Sequence, residues 1–141
     1  MIFQEIHWGS AAYERECALR DEVLRRPLGR SLHEEDLAAE QSQWHFGLFD
    51  ADGNLTACVV AVPLSPVRVK IRQMVVAPCW QGQGFGRQLI GELEQTLRVR
   101  GITGFELHAR ATATGFYQKL GYSATGPEFL EVGIPHRKMV K

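Results

Sequence analysis

The chain lacks any long uninterrupted run of apolar residues. No stretch of its 141 residues reaches the roughly 18 apolar side chains that a membrane-spanning helix needs. The first ten residues, MIFQEIHWGS, also lack the positively charged N-terminal region and the apolar core of a secretory signal peptide. We therefore expect a cytoplasmic protein that does not insert into a membrane.

An excess of charge of either sign is absent as well. The chain contains 16 Lys and Arg residues and 16 Asp and Glu residues, so its formal net charge at pH 7 is +0. A balanced chain has no global field that would draw it to nucleic acid or to an anionic membrane surface. The composition therefore disfavours nucleic-acid and membrane partners.

Paired cysteines are missing too. Cys17, Cys58 and Cys79 are odd in number, widely separated and outside metal-ligand pairs, so we interpret them as reduced thiols and predict no metal site. Internal repeats and Pro/Gly/Ser-rich linkers are also absent. With 45% apolar residues, enough for one core, residues 1–141 are expected to form a single domain.

The most informative segment that is present is rich in glycine. Residues 74–90, MVVAPCWQGQGFGRQLI, lead from an apolar strand through a turn into a helix. Gly82, Gly84 and Gly86 stand where a β-carbon would block close approach or forbid positive φ. Because the N–H groups at a helix N-terminus favour negative charge, this arrangement predicts an anion-binding site whose ligand is a pyrophosphate.

The spacing of these glycines separates three kinds of phosphate loop. A P-loop needs Lys and then Ser or Thr after its last glycine, but Gly86 is followed by Arg87 and Gln88. A dinucleotide-binding fingerprint needs G-x-G-x-x-G, whereas the spacing here is G-x-G-x-G. From Gln81 onward the pattern is instead Q-x-x-G-x-G.

That pattern resembles motif A of the GNAT-type N-acetyltransferase superfamily, whose pyrophosphate loop holds acetyl-coenzyme A. About 30 residues downstream, residues 115–122, GFYQKLGY, resemble the second signature of the same superfamily. The closing segment 129–139, FLEVGIPHRKM, is similar to the C-terminal strand of small bacterial members of the ElaA type. The resemblance implies an α/β (α+β) fold of three layers, α/β/α, with a mixed, mostly antiparallel sheet and a splayed central strand pair.

The coarse pattern of elements agrees with that fold. Strands are predicted at 2–8, 44–49 and 55–62, the last two joined by a D-G turn, and a further strand opens at Val67. Its apolar register slips near Arg72 and Gln73, which predicts a bulge, although burial on both faces would give the same pattern. The remaining predictions are a helix after Ser10 stopped by Pro27 and Gly29, a short helix after Ser31 with a capping box to Glu34, a helix at 84–100, a strand at 103–109, a short helix at 113–120 and final strands from Tyr122.

Arginines crowd the first helix and the residues after it, at positions 15, 20, 25, 26 and 30. Glutamate and aspartate residues interleave with them, at positions 14, 16, 21 and 22. Interleaved opposite charges are typical of a solvated, salt-bridged helix face rather than of a basic binding patch. We therefore expect these arginines to lie in solvent.

The resemblance implies roles for individual residues. Tyr117 occupies the position of the superfamily's general acid, which protonates the departing coenzyme A thiolate. Main-chain groups of the apolar strand would pair with the pantetheine arm, and one N–H there would polarise the thioester carbonyl. The predicted cofactor-binding residues are Met74, Val75, Val76, Gln81, Gly82, Gln83, Gly84, Phe85, Gly86 and Arg87.

The general base is left open by the sequence. Lys70 stands where several members of the superfamily place a glutamate, and it cannot accept a proton while it is charged. His45, His108 and His136 lie on predicted strands and titrate in a useful range, and a water chain would also serve. Arg110 replaces an asparagine that contacts the cofactor in many members, so an arginine there could meet the coenzyme's phosphates or an acidic substrate.

These features predict an N-acetyltransferase that moves an acetyl group from acetyl-coenzyme A directly to a primary amine of a small molecule or peptide. The alternative is a non-catalytic acyl-coenzyme A sensor, which the missing glutamate favours. Exposed strands near the C-terminus leave a homodimer open. The acceptor amine is not specified by any motif.

Overall fold

The computed structural model describes residues 1–141, which form one seven-stranded sheet flanked by helices. The strands lie in the order β1-β2-β3-β4-β5-β7-β6, and every neighbouring pair is antiparallel except β4 and β5. The predicted mixed, mostly antiparallel sheet is therefore confirmed. The strands are β1 (Ile2–Ile6), β2 (Trp44–Phe49), β3 (Leu55–Pro63), β4 (Arg68–Val76), β5 (Gly104–Arg110), β6 (Ser123–Glu131) and β7 (Ile134–Val140).

Helices cover both faces of this sheet. Helix α2 (Phe85–Val99) buries Leu89, Leu93 and Leu97 against one face, in the largest core cluster. Helix α1 (Ala11–Arg20) packs on the other face, where Cys17 and Leu19 are buried. A short helix, α3 (Thr114–Lys119), lies between β5 and β6 in the chain. The three-layer arrangement places the core on both sides of the central strands.

The start and end of the first helical segment follow the predicted signals. The Ser10 hydroxyl accepts a hydrogen bond from the Tyr13 N–H at 3.2 Å, which caps α1. A π-helical turn (Asp21–Arg25) and a 3-10 turn (Arg26–Leu28) continue the segment. Gly29 then ends it with φ of 70°, as its lack of a side chain allows.

The predicted short helix after Ser31 is wrong. Residues 32–34 and 37–42 form 3-10 turns instead, and the Ser31 hydroxyl accepts from the His33 N–H rather than from Glu34. The Leu32 N–H donates to the Asp21 carboxylate at 2.8 Å. Because this bond ties the segment back to the end of α1, residue 32 is held by a tertiary contact that competes with a regular helix.

The predicted bulge in β4 is confirmed. Across the β3–β4 ladder the register changes from Val60 opposite Arg72 to Cys58 opposite Val75, so β4 holds an extra residue. Gln73 within this bulge has φ of 55°, a backbone conformation that few residues other than glycine adopt. Parallel pairing with β5 stops before it, at Ile71. The two central strands therefore separate on the C-terminal side of the bulge.

One prediction about the arginines is wrong, because Arg20 is completely buried. Its guanidinium donates to Glu16 at 2.7 Å and to both carboxylate oxygens of Glu40 at 2.9 and 2.6 Å. His45 contacts the same Glu16 through Nδ1 at 2.9 Å and the Glu40 carbonyl through Nε2 at 3.0 Å. This cluster fastens α1 to β2 and to the 3-10 turn at 37–42.

The same cluster brings together three residues of metal-ligating type, Glu16, Glu40 and His45, whose ligand atoms lie within 4.8 Å of one another. Arg20 already lies among them and supplies the positive charge that both carboxylates need. We interpret the cluster as a structural ion-pair network.

No helix of the chain has the length and apolarity required to cross a bilayer.

The ionisation of His45 predicts how this network responds to pH. Burial alone would lower the pKa of His45, but the hydrogen bond to Glu16 and the charges of Glu16 and Glu40 raise it above its ordinary value. Such a histidine stabilises the fold below its unfolded pKa, about 6.5, and this stabilisation is lost as pH rises through the folded pKa. We predict that His45→Gln lowers the free energy of unfolding by about 3 kcal/mol at pH 6, and by less at pH 9, in urea titrations.

The exposed His7 provides the control, since His7→Gln should leave the unfolding curve unchanged at both pH values. A loss for His45→Gln that is equal at pH 6 and pH 9 would contradict the ionic role of His45.

Candidate active site

A cavity of about 720 Å³ lies where β4 and β5 separate. The cavity lining comes from residues 70–74 of β4 and 107–110 of β5, from the start of α3, from the chain segment 24–35 and from the β6–β7 turn. Beyond Ile71 the β5-facing edge of β4 has no strand partner. Main-chain groups in this gap are thus available to a ligand, as in many clefts that bind small molecules.

The glycine-rich loop leads from the end of β4 into α2. Gly82 and Gly84 have φ of 76° and 85°, and a β-carbon at either would meet nothing within 4 Å. Both are therefore needed for backbone conformation, and they leave open space around the loop. Gly84 is the N-cap of α2 and no side chain caps the helix, so the N–H groups of its first turn point outward without a side-chain partner.

Gly86 is needed for a different reason. A β-carbon at this position would lie 3.0 Å from Met74 Cε and 3.3 Å from Phe116 Cζ. The first turn of α2 therefore packs directly on β4 and on α3. This contact joins the glycine loop to the end of the cavity where Met74 and Tyr117 lie.

Side chains of the loop stabilise the loop itself. Gln81 Nε2 donates to the Val76 carbonyl at 2.9 Å, and Gln83 Nε2 donates to the Cys79 carbonyl at 3.2 Å. Phe85 packs edge-to-face on Trp80, with ring centroids 5.6 Å apart. The predicted cofactor-binding residues thus lie close together, because Met74, Val75 and Val76 end β4 and the Gln81 side chain bonds back to the Val76 carbonyl across residues 77–80.

Two of these residues differ in environment from the rest. Val75 is buried on the α1 side of the sheet, beside Leu19 and Cys58, so only its main chain is available to the cleft. Arg87 lies in the exposed first turn of α2, next to the uncapped N–H groups. Its charge can therefore reinforce an anion held there.

Tyr117 lines the same cavity. Its hydroxyl donates to Met74 Sδ at 3.4 Å, and its ring packs edge-to-face between Phe116 and Tyr122 at 5.0 and 5.9 Å. Burial raises the pKa of Tyr117 to about 12. The phenol is therefore protonated at neutral pH and is able to donate a proton or a hydrogen bond beside β4.

The structure separates the three candidate histidines. His45 lies in the buried network beneath α1, with both ring nitrogens already bonded to protein groups, and it does not reach the cavity. His108 and His136 both line the cavity. The two lie close together because Arg110, two residues after His108, is paired with His136 across β5 and β7.

Glu131, which the sequence did not single out, joins the two cavity histidines. Its carboxylate accepts from His108 Nδ1 at 3.0 Å, and its other oxygen lies 3.6 Å from His136 Nε2. His136 Nδ1 donates to the Ile134 carbonyl at 2.7 Å. Burial alone would raise the pKa of Glu131, but the bond from His108 and the charges of His108, His136 and Lys70 lower it.

This contact determines which His108 nitrogen is free. An ionised carboxylate only accepts hydrogen bonds, so His108 Nδ1 must carry the proton that it donates. In the neutral imidazole Nε2 then keeps its lone pair, and no protein group bonds to it. The only sequence signal for this pair was the E-V-G-I-P-H turn, which brings the ends of two strands together.

Two lining residues, Lys70 and Arg110, stand at the positions where the sequence departs from the superfamily pattern, and both are cationic. Lys70 is half-buried, and burial together with the nearby Arg72 lowers its pKa, partly offset by Glu131 and Glu106. Arg110 ends β5, is exposed and faces the cavity. Neither residue forms a salt bridge with a neighbouring carboxylate.

Comparison with known sequences identifies the family. A sequence model described as the acetyltransferase (GNAT) domain matches residues 20–141. The chain belongs to the GNAT acetyltransferase family. The predicted recognition is therefore confirmed, and GNAT proteins as a family are acyl-coenzyme A N-acyltransferases.

A bacterial relative shares about half of the chain. YyaT, an uncharacterized protein of Bacillus subtilis, is 38% identical over 72 residues, which span 51% of this chain and 49% of YyaT. The match thus covers about half of that relative's length. YyaT has no assigned activity, so the similarity specifies no substrate.

Two solved structures share the fold. ElaA of Escherichia coli has a TM-score of 0.83 at 21% identity, covering 99% of this chain and 98% of ElaA. An aminoglycoside 6'-N-acetyltransferase complexed with coenzyme A has a TM-score of 0.80 at 17% identity, covering 100% of this chain and 96% of that protein. At these identities the likeness establishes the fold, which is the GNAT fold.

The packing of Gly86 gives a testable prediction. Gly86→Val should lower the free energy of unfolding by about 1–3 kcal/mol relative to Gly91→Val, because only at residue 86 do Met74 and Phe116 crowd the new side chain. Gly91 lies in the same helix, and a β-carbon there meets nothing within 4 Å. Urea denaturation of both variants measures the difference. Equal stabilities would contradict the close contact of α2 with β4 and α3.

Proposed function

We propose that the chain transfers an acetyl group from acetyl-coenzyme A directly to a primary amine of a small molecule or peptide. One observation carries this proposal: the cleft between β4 and β5 has the uncapped N-terminus of α2 next to one end, and the protonated Tyr117 hydroxyl lies at that same end. A donor with phosphates, an extended arm and a thioester fits such a site. The solved neighbour that contains coenzyme A supports the same donor.

The residues around the cleft suit acetyl-coenzyme A part by part. The pyrophosphate would be held by the main-chain N–H groups of Gln81, Gly82, Gln83, Gly84, Phe85, Gly86 and Arg87, since the glutamine side chains are turned back onto the loop. Open space around Gly82 and Gly84 leaves room for it. Met74, Val75 and Val76 would offer the unpaired strand edge to the pantetheine arm, and one N–H there would stabilise negative charge on the thioester oxygen.

Tyr117 would give its proton to the coenzyme A thiolate as the acyl group leaves. Because burial raises the pKa of Tyr117 to about 12, the phenol is protonated at neutral pH and can donate its hydrogen bond to the sulfur as negative charge develops there. The proton would pass to the sulfur as the C–S bond breaks, and the phenol would be reprotonated from solvent. The contact of the hydroxyl with Met74 Sδ aims it at the end of β4 where the thioester would lie.

His108 would remove the proton from the acceptor ammonium group. His108 lines the cavity and its Nε2 has no protein partner, while Glu131 holds the opposite ring nitrogen and would stabilise the imidazolium that forms. His108 and Glu131 would together take the role of the glutamate that other members have at the position of Lys70. A non-catalytic acyl-coenzyme A sensor, which the lysine favours, has no use for a base with a free nitrogen in the cleft.

The acid role of Tyr117 is tested with Tyr117→Phe, which keeps the aromatic packing. We expect the turnover number to fall about 100-fold or more while the dissociation constant for coenzyme A stays the same, measured by thiol release and by calorimetry. The acceptor panel contains small amines, polyamines, amino sugars, aminoglycosides and lysine peptides. Tyr122→Phe is the control, because that neighbouring hydroxyl bonds Glu94 and does not line the cavity. Full turnover in Tyr117→Phe across pH would remove this role.

The base role of His108 predicts a pH dependence. The rate of His108→Gln, relative to that of the unsubstituted protein, should be lowest at pH 6.5 and should recover toward pH 9.5. For an amine pKa of about 10, more of the acceptor is already neutral at pH 9.5 and needs no base. Glu131→Gln should show the same trend with a smaller loss, since His108 keeps its place but loses its charged partner. Rate losses that stay constant across this range would indicate a structural role instead.

A further inference from the structure

The cleft is positively charged, although the chain as a whole is neutral. Cationic side chains in its lining outnumber carboxylates by five to three, an excess of two, with the histidines taken as neutral. A cleft lined by one sign of charge attracts ligands of the opposite sign. The five cationic residues are Arg25, Arg30, Lys70, Arg72 and Arg110, and the three carboxylates are Glu34, Glu35 and Glu131.

Pairing within the lining leaves specific cations free. Arg25 forms a salt bridge with Glu35 and also donates to the Gln73 side chain at 2.8 Å. Glu131 is occupied by His108. Four lining cations form no salt bridge, and of the carboxylates only Glu34 is likewise unpaired, so free cations outnumber free carboxylates by four to one. The four cations are Arg30, Lys70, Arg72 and Arg110.

Two of the free cations flank the proposed base and not the donor loop. Lys70 and Arg72 precede the bulge of β4, whereas Met74, which contacts Tyr117, follows it. At a rise of about 3.3 Å per residue, Lys70 is about 13 Å along the strand from Met74. It lies instead beside β5, where its partner across the strands is Glu106, two residues before His108 and on the same face of the sheet.

We propose that the acceptor is a primary amine that also carries an anionic group, a carboxylate or a phosphate. This inference rests on the proposed acetyl transfer. The amine would lie at His108 Nε2 while the anion pairs with Lys70, Arg72 and Arg30. Arginine binds both carboxylate and phosphate through paired N–H groups, which suits either anion. Polycationic amines such as spermidine and aminoglycosides would be repelled by the same side chains.

Matched pairs of acceptors test this class with the whole protein and acetyl-coenzyme A. Glycine is compared with glycinamide, phosphoethanolamine with ethanolamine, and glucosamine 6-phosphate with glucosamine, with spermidine and kanamycin alongside. We expect kcat/KM about tenfold or more higher for the anionic member of at least one pair. The glycine pair reports a carboxylate site, and the other two pairs report a phosphate site. Equal or better use of the neutral or polycationic amines would overturn the proposal.

A binding measurement covers the case in which no probe is acetylated. Calorimetry of the coenzyme A complex with each pair should show tighter binding of an anionic member, and the absence of such binding would overturn the proposed acceptor class. Loss of coenzyme A binding itself, or its retention without release for any amine, would count against the proposed transferase function. The two proposals therefore fail in different ways.

Variants locate the anion site. Arg72→Gln and Arg30→Gln should each raise KM for the preferred anionic acceptor about tenfold while leaving its neutral partner unchanged. Arg15→Gln removes the same charge from an exposed position outside the cleft and should change neither. If Arg72→Gln instead weakened coenzyme A binding and slowed both members of a pair equally, the cations would serve the coenzyme's own phosphates and the proposal would be wrong.

Discussion

The separation of β4 from β5 is the constraint on which the candidate site depends. Strands joined along their whole length would leave no gap and no unpaired strand edge. Here parallel pairing ends at Ile71, and the extra residue at the bulge, with Gln73 at positive φ, turns the strand away from β5. That backbone costs on the order of 1–3 kcal/mol, and the surrounding packing must hold it. Arg25 contributes directly, since its guanidinium bonds the Gln73 side chain.

Packing contacts on both faces of the sheet hold the elements that border the gap. On one face, α2 packs through Gly86 against Met74 and Phe116, so the glycine loop, β4 and α3 are in direct contact. On the other face, the buried Arg20 network fixes α1 and the segment after it, which forms a wall of the cleft. In the proposed function, the cleft is divided along β4 into a region for the phosphorylated donor and a cationic region beside His108 for the acceptor.

Local patterns were sufficient to predict much of this arrangement. The glycine loop and the bulge are each encoded by neighbouring residues, through turn chemistry or strand register, whereas the role of Tyr117 rests on the resemblance of residues 115–122 to the superfamily's second signature. Glu131 could not be assigned, because its partner His108 is 23 residues away and the contact depends on how β5, β7 and β6 pair. Arg20 was misplaced for the same reason, since Glu40, which neutralises it, is 20 residues distant and outside α1.

The 3-10 turns at 32–34 and 37–42 show the same limit, because the tie between Leu32 and Asp21 overrides a local capping signal. Cytoplasmic location, the single-domain organisation of residues 1–141 and a homodimer stay predictions. What a pattern could not convey in each case was which distant group would supply a charge or a hydrogen bond.

Mapping coenzyme A on the protein by backbone amide NMR tests the central claim most directly. The structure predicts that saturating coenzyme A shifts the amide resonances of residues 73–76 of β4 and 81–87 of the loop, while β2 and the Arg20 network stay unchanged. Shifts of that kind would place the donor in the gap between the separated strands. If coenzyme A bound and shifted other residues instead, or left residues 81–87 unperturbed, the account of the cleft would be contradicted.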